Sequence, residues 1–310
     1  MASAGDVYSG VVVKGHAPKL EWKNISLSVK TTTGESRQIL KSLNGKLMPG
    51  ELTAVLGPSG AGKTTLLNLL AGRNTLQEGV VKLDGEEIDP VDKRDKMAYV
   101  MQENALWPTS TVKESLEFSA KLRAIDNPKE KVNELLEKLM LTKAQDTLNG
   151  NDRIRGTSGG EKKRTSVGIE LVNDPSLLLL DEPTSGLDSE SAIIVINMLK
   201  KLAVENKSAV LCTIHQPSSE IFQLFDQAIF LSGGSNIALS GHVIYQGPVK
   251  QIPEYLAGVD KKYELQLGYN IADHMMSLCH KDEAIEDLKQ GNSMFQCITT
   301  RTRNLDFASF

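Results

Sequence analysis

Short blocks in which nearly every position is apolar alternate along this chain with longer stretches whose apolar residues recur at helical spacing. Leu52–Leu56, Leu177–Leu180, Ala209–Ile214 and Ala228–Leu231 are strand-length apolar blocks, and their alternation with helices predicts a sheet flanked by helices. Antiparallel pieces are expected beside this parallel core. Leu20–Val29 and Gln38–Leu47 read as strands joined by the polar segment Thr31–Glu35, with Trp22 as a packing residue. Val80–Ile88 reads as a hairpin because Asp84-Gly85 supplies the positive-φ pair of a tight turn. A second hairpin is expected around Ser240-Gly241, before Val243–Tyr245.

The middle third turns helical. Thr111-Val112-Lys113-Glu114 has the form of a capping box. Asn127-Pro128 starts another helix with proline at its first position. There Val132, Leu135, Leu136, Leu139 and Met140 form an apolar stripe, read as core packing rather than a partner-binding face. Further on, Asn270–Cys279 and Lys281–Gln290 are expected to be helical, and Gly291–Phe310 to be polar and loosely structured.

Composition narrows the class. At 310 residues, 40% of them hydrophobic, the chain can bury one large core or two modest ones. Lys+Arg number 35 against 39 Asp+Glu, for a net charge of -4, so no basic surplus exists to displace counterions from nucleic-acid phosphates. Nucleic acid is not an expected partner. The apolar runs Met97–Met101 and Ala192–Ile196 fall far short of the roughly 18–20 residues of a membrane-spanning helix. The amino terminus lacks the basic-then-apolar pattern of a secretory signal. Cys212, Cys279 and Cys297 are odd in number and have no CxxC spacing, which argues against a disulfide framework or zinc site and for a reducing compartment. The expectation is a cytosolic α/β protein.

The chemistry concentrates in three segments. Gly57-Pro58-Ser59-Gly60-Ala61-Gly62-Lys63-Thr64 fits G-x-x-x-x-G-K-[ST], follows an apolar strand and opens a helix. Its glycines let the backbone wrap phosphate oxygens, and the helix amino terminus adds partial positive charge. Lys63 is expected to reach the β- and γ-phosphates and Thr64 to ligate Mg²⁺. Leu177–Leu180 then ends in Asp181-Glu182-Pro183, two carboxylates at the strand edge where open α/β sheets bind ligands. Asp181 is expected to hold Mg²⁺ and Glu182 to polarise the attacking water. Third, Ser158-Gly159-Gly160 precedes a helix and offers a hydroxyl and bare amides, a second anion cradle. One nucleotide has one γ-phosphate, so a second cradle makes sense on the facing subunit of a dimer.

Together these segments resemble the nucleotide-binding domain of an ATP-binding cassette (ABC) transporter. Ser158-Gly159-Gly160-Glu161 resembles that family's signature, Gln102 its Q-loop residue, Ser185-Gly186-Leu187-Asp188 its D-loop and His215 its switch histidine. Leu47–Thr53, Lys162–Val167, Glu182–Ser189 and His215–Ser218 are similar to the G (white/pigment) group. Three positions depart from the family pattern: Thr157 begins the signature, Leu27 occupies the aligned position of an adenine-stacking aromatic, and Asn270-Ile271-Ala272-Asp273 replaces Asn-Pro-Ala-Asp. The Leu27 alignment leaves both ATP and GTP open as the nucleotide.

The resemblance implies an α/β P-loop NTPase of the ABC type, with a RecA-like parallel-sheet core, an antiparallel β subdomain and an inserted α-helical subdomain. It would occupy residues 19–258, the helical part about 103–172, after a tail 1–18 and before an extension 259–310 leading toward a membrane domain that the chain lacks. It implies ATP and Mg²⁺ bound at Gly57–Thr65, with Thr65 near the α-phosphate. A second subunit, identical or different, would contribute Ser158, Gly159, Gly160 and Asp188. Gln102 would touch Mg²⁺ or water, and His215 the γ-phosphate. The implied activity is ATP hydrolysis powering export of a lipid, sterol, pigment or drug-like molecule, at the cytoplasmic face of a membrane. The alternatives are a non-transport ABC ATPase and a regulatory cassette that binds nucleotide without turnover.

Overall fold

The structure, a computed structural model, describes residues 19–30, 34, 36–233, 236–265 and 268–292. The expected tail 1–18, most of the turn Thr31–Glu35 and the stretch 293–310 lie outside them. In chain order the elements are β1 (Leu20–Lys30), β2 (Ser36–Leu47), β3 (Leu52–Leu56), α1 (Lys63–Leu70), β4 (Glu78–Leu83), β5 (Glu86–Ile88) and β6 (Met97–Val100). Next come α2 (Val112–Leu122), α3 (Pro128–Lys138), α4 (Gly159–Leu171), β7 (Leu177–Leu180), α5 (Ser189–Asn206) and β8 (Ala209–Thr213). The chain continues through α6 (Ser219–Gln223), β9 (Gln227–Leu231), β10 (Val243–Pro248), α7 (Ile252–Val259) and α8 (Ile271–Leu278). A last helix, α9, covers residues 282–292.

Two sheets result. A six-stranded sheet has the order β10-β9-β3-β8-β7-β6, parallel throughout except for the antiparallel edge pair β9–β10. An antiparallel sheet has the order β2-β1-β4-β5. The apolar blocks are explained by burial on both faces. Leu52, Ala54, Leu56, Leu178, Leu180, Val210 and Cys212 point into one core with α2–α5. Their sequence neighbours Val55, Leu177, Leu179, Ala209 and Leu211 point into the other, shared with α1 and the antiparallel sheet. A strand whose odd and even positions are both covered leaves no place for polar alternation.

The hairpin β4–β5 turns at Asp84 (φ 52) and Gly85 (φ 85), as the Asp-Gly pair predicts. Thr111 caps α2 in a reciprocal capping box with Glu114. The second hairpin is β9 with β10, closed by a broad connection containing a 3₁₀ turn at Ile237–Leu239 rather than a tight turn. The α3 stripe needs one correction. Val132, Leu135, Leu136 and Leu139 are buried, but Met140 is 55% exposed. The helix ends before it, and its φ of 52 turns the side chain away from the stripe. Trp22 is 1% exposed and packs over Gly45, where a Cβ would lie 2.2 Å from its ring.

Candidate functional site

The parallel strands bring the phosphate loop, the carboxylate pair, Gln102 and His215 to one edge. Adjacent strands β3, β8, β7 and β6 end in turn at Gly57, just before His215, at Asp181-Glu182 and at Met101-Gln102. This is the carboxyl edge, where open α/β sheets bind ligands.

Local backbone chemistry shapes the phosphate loop. Gly62 has φ 96, and a Cβ there would lie 2.7 Å from Leu40 Cδ2, so both conformation and space require glycine. The Gly60 and Gly62 amides donate to no backbone carbonyl among the described residues. The first-turn amides of α1 add further donors without helical partners. Ser59 and Gly60 are exposed, so the cradle is open to a ligand. Lys63 Nζ folds back onto the loop, donating to Gly57 O at 2.7 Å and Pro58 O at 3.0 Å. Burial pulls this ammonium below the ordinary lysine range, while the charges of Glu182 and Asp181 oppose the shift.

The carboxylates are tied to the loop and to each other. Thr64 Oγ1 donates to Asp181 Oδ1 at 3.1 Å. Thr213 Oγ1, fully buried, donates to the same Oδ1 at 2.6 Å and accepts from the Glu182 amide at 2.8 Å. Glu182 itself sits at φ 43, an uncommon conformation for a side chain of this size. Gln102 Nε2 donates to Glu182 Oε2 at 2.9 Å. Arg73 lies over the Tyr99 ring at 4.6 Å, and burial, followed by the charge of Asp181, pushes the Tyr99 hydroxyl up to about 12. His215 is exposed, directly beyond Ile214, whose amide donates to Val55 O at 3.0 Å.

Ser158, Gly159, Gly160 and Asp188 form a second cluster, with no hydrogen bond or ion pair to the first among the described residues. Ser158 caps α4, its Oγ accepting from the Glu161 amide at 3.3 Å while Glu161 Oε2 accepts from the Ser158 amide at 2.8 Å. The Ser158 hydroxyl proton is thus left to donate elsewhere, and Ser158 and Gly159 are exposed. A Cβ on Gly159 would lie 3.1 Å from Leu187, so the signature turn abuts the D-loop segment. Asp188 caps α5, accepting from the amide and hydroxyl of Ser191 at 2.9 and 2.7 Å. These bonds, the amide's first, hold its carboxyl below the usual range. Thr157 is accommodated because its hydroxyl donates to Asn149 O at 3.1 Å.

Leu27 cannot stack on a base. It is 5% exposed and faces Leu40 across β1–β2.

Two residues that the sequence reading did not single out organise the site. One is Thr213. The other is Lys163, 1% exposed on α4, whose Nζ donates to Met101 O at 3.2 Å and Gln102 O at 2.7 Å. Burial brings its ammonium down to about 8, against the opposing charge of Asp181. A signal existed: Lys163 stands four and eight residues before Val167 and Leu171, both buried, so it continues their helical face.

The oxygen donors of Thr64 and Asp181 are the hard set that suits Mg²⁺. No described helix is long and apolar enough to cross a membrane.

Comparison with known proteins agrees with this arrangement. Residues 40–185 match the family described as ABC transporter, and residues 215–290 the family described as ABC-2 type transporter. ABC transporter G family member 22 of Dictyostelium discoideum is 43% identical over 249 residues, covering 76% of this chain and 39% of that protein. ABC transporter G family member 5 of Arabidopsis thaliana is 40% identical over 235 residues, covering 74% and 35%. The chain thus spans well under half the length of these curated relatives. The ATP-binding cassette MJ0796, solved as a dimer in a post-hydrolysis state bound to ADP and Pi, superposes with a TM-score of 0.61 at 25% identity, covering 74% of this chain and 98% of that one. By its sheet topology, its motif geometry and these relatives, the chain belongs to the ABC transporter family as a nucleotide-binding cassette resembling those of the G subfamily.

Proposed function

We propose that this chain binds and hydrolyses ATP in a sandwich dimer, as the nucleotide-binding part of a transporter moving a lipid, sterol, pigment or drug-like substrate across a membrane. The observation that carries this reading is the division of the site. The phosphate loop with its carboxylates is one cluster, and the signature turn, whose Ser158 hydroxyl proton is left to donate on open surface, is another. Two copies related by a two-fold axis make each cluster complete the other, and the dimeric MJ0796 cassette supports that arrangement.

In this reading the loop amides and Lys63 hold the phosphates. Thr64 and Asp181 hold Mg²⁺, which when bound neutralises charge on the β- and γ-oxygens. Glu182, fixed through Gln102 and the Thr213 hydroxyl, orients water for in-line attack. His215 contacts the γ-phosphate from the end of β8. Ser158, Gly159 and Gly160 of the facing copy close over the same group, with Asp188 at the seam. The facing copy is either identical or a related chain.

Exposed apolar side chains support a membrane partner. Trp107, Phe118 and Leu122 are 72%, 63% and 74% exposed, and the last two stand one turn apart on α2. In this reading they offer a docking face for a transmembrane domain, and the cassette would sit at the cytoplasmic face of a membrane.

The test is Glu182→Gln. With ATP it should elute as a dimer while hydrolysis falls by about 10²–10⁴-fold, the range for losing a general base. Ordinary turnover by this variant would remove Glu182 from its role. A variant that binds ATP yet stays a monomer at every concentration would remove the sandwich.

A further inference from the structure

Lys163 is a cation with almost no exposure and no ion pair among the described residues. Burying an ammonium without a carboxylate is costly. A methionine would fill similar space without that cost, but would lack the donors that Lys163 gives to the Met101 and Gln102 carbonyls. Three residues on, Ser166 Oγ donates to Asn104 Oδ1 at 3.1 Å. Side chains three apart share a helix face, so one face of α4 is tied to the 101–104 segment by two side chains. The far ends of this connection matter. The amino terminus of α4 is the Ser158 turn, and the side chain of Gln102 holds Glu182 Oε2.

We propose that Lys163 is a positioning residue that couples the two nucleotide sites of the dimer. The inference rests on the sandwich reading above. In that dimer, Ser158 of one protomer meets the nucleotide held by its partner, whereas Gln102 and Glu182 of that same protomer serve its own nucleotide. The helix between them is a single rigid element of about four turns, at 3.6 residues per turn. Engagement of the signature turn therefore moves the carbonyls that Lys163 grips, and with them the amide that sets the Glu182 carboxylate. Each protomer would thereby report occupancy of one site to the catalytic base of the other, a coupling between distinct sites carried by one contiguous element.

The experiment compares the wild-type chain with Lys163→Met, Gln102→Ala and the double variant, measuring ATP hydrolysis, ATP affinity and ATP-dependent dimer formation. Lys163→Met should lower kcat roughly tenfold and take the Hill coefficient for ATP from above unity to unity, with ATP affinity changed by less than about twofold. In the Gln102→Ala background the same substitution should change kcat by less than about twofold, because the group it acts through is gone. Ser166→Ala, which loses the parallel tether with little change in volume, should lower the Hill coefficient in the same direction and keeps the test open if Lys163→Met does not fold. Wild-type cooperativity and kcat in folded Lys163→Met and Ser166→Ala, or an undiminished tenfold loss in the Gln102→Ala background, would overturn the coupling while leaving the sandwich intact. A wild-type chain that hydrolyses ATP without dimerising would overturn the sandwich, and the coupling with it.

Discussion

Replacing Thr213 with valine removes one hydroxyl from a site where it has two jobs. The side chain is fully buried, its Oγ1 donating to Asp181 Oδ1 at 2.6 Å and accepting from the Glu182 amide at 2.8 Å. Valine preserves shape and volume but takes from Asp181 Oδ1 the shorter of its two threonine hydrogen bonds, and removes the acceptor of the Glu182 amide. A hydrogen bond to a charged group contributes about 1.5–3 kcal/mol, and a stranded buried donor costs about 1–3 kcal/mol. Because the two share one hydroxyl they do not add in full, so a loss of roughly 2–4 kcal/mol is expected. At about 2–4 °C per kcal/mol for a domain of this size, Tm should fall by roughly 5–15 °C. Thr213→Ser keeps the hydroxyl, loses one buried methyl and should lose no more than about 1.5 kcal/mol. The assay is thermal and chemical denaturation of the three proteins side by side, with ATP hydrolysis measured well below each Tm. Hydrolysis should fall in the valine variant and persist in the serine variant, since the Glu182 backbone at φ 43 loses its anchor only in the former. Equal stability of Thr213→Val and wild type would refute the reasoning.

Lys63→Ala should weaken ATP binding by roughly 10–100-fold, the equivalent of a charge-assisted hydrogen bond; calorimetric titration returning the wild-type affinity would contradict the loop assignment. Gly45→Ala places a Cβ 2.2 Å from the Trp22 ring, so the variant should lose about 1–3 kcal/mol through overpacking. In a Trp107→Phe background, which leaves Trp22 as the sole tryptophan of the sequence, its emission should shift to the red; an unchanged spectrum and Tm would show the sheet yields freely there. Cys212 and Cys279 are both 0% exposed, and burial pushes both thiols far above the usual thiol range. In a Cys297→Ser variant, native protein should therefore be inert to a thiol reagent and react twice after denaturation; prompt labelling of the native state would mean that α8 or β8 opens locally.

Much of the fold was legible because the parallel strands are buried on both faces. Leu177–Leu180 and Ala209–Thr213 leave no polar alternation to misread, and Asp84-Gly85 and Thr111/Glu114 are local devices whose chemistry acts within four residues. What escaped depends on irregularity. In β1 the pairing with β2 shifts between Trp22 and Ile25, between Ile25 and Leu27, and again before Ser28. Each shift can exchange inward and outward positions, so Ile25, Ser26 and Leu27 are buried in succession. Counting by twos along that strand cannot tell which residue faces a bound base, which is why Leu27 turns out to be core. Met140 fails for a related reason: periodicity has no marker for the residue at which a helix stops.

The site was legible to the extent that each motif folds on its own backbone. A glycine loop opening a helix, a carboxylate pair ending a strand and a Ser-Gly-Gly cap each need only neighbouring residues, so each announces itself in sequence. Thr213 and Lys163 do not. Both are polar residues inside apolar patterns, and their partners, Asp181, Glu182, Met101 and Gln102, come from other elements. A buried polar group must be satisfied somewhere, so a threonine closing an apolar strand or a lysine on the buried face of a helix predicts a partner without naming it. The topology supplies the name: β7 lies between β8 and β6, so a hydroxyl at the end of β8 reaches the carboxylates of β7, and an ammonium on α4 reaches the carbonyls just past β6. The motifs place the groups proposed to react, while these two buried side chains tie their segments together.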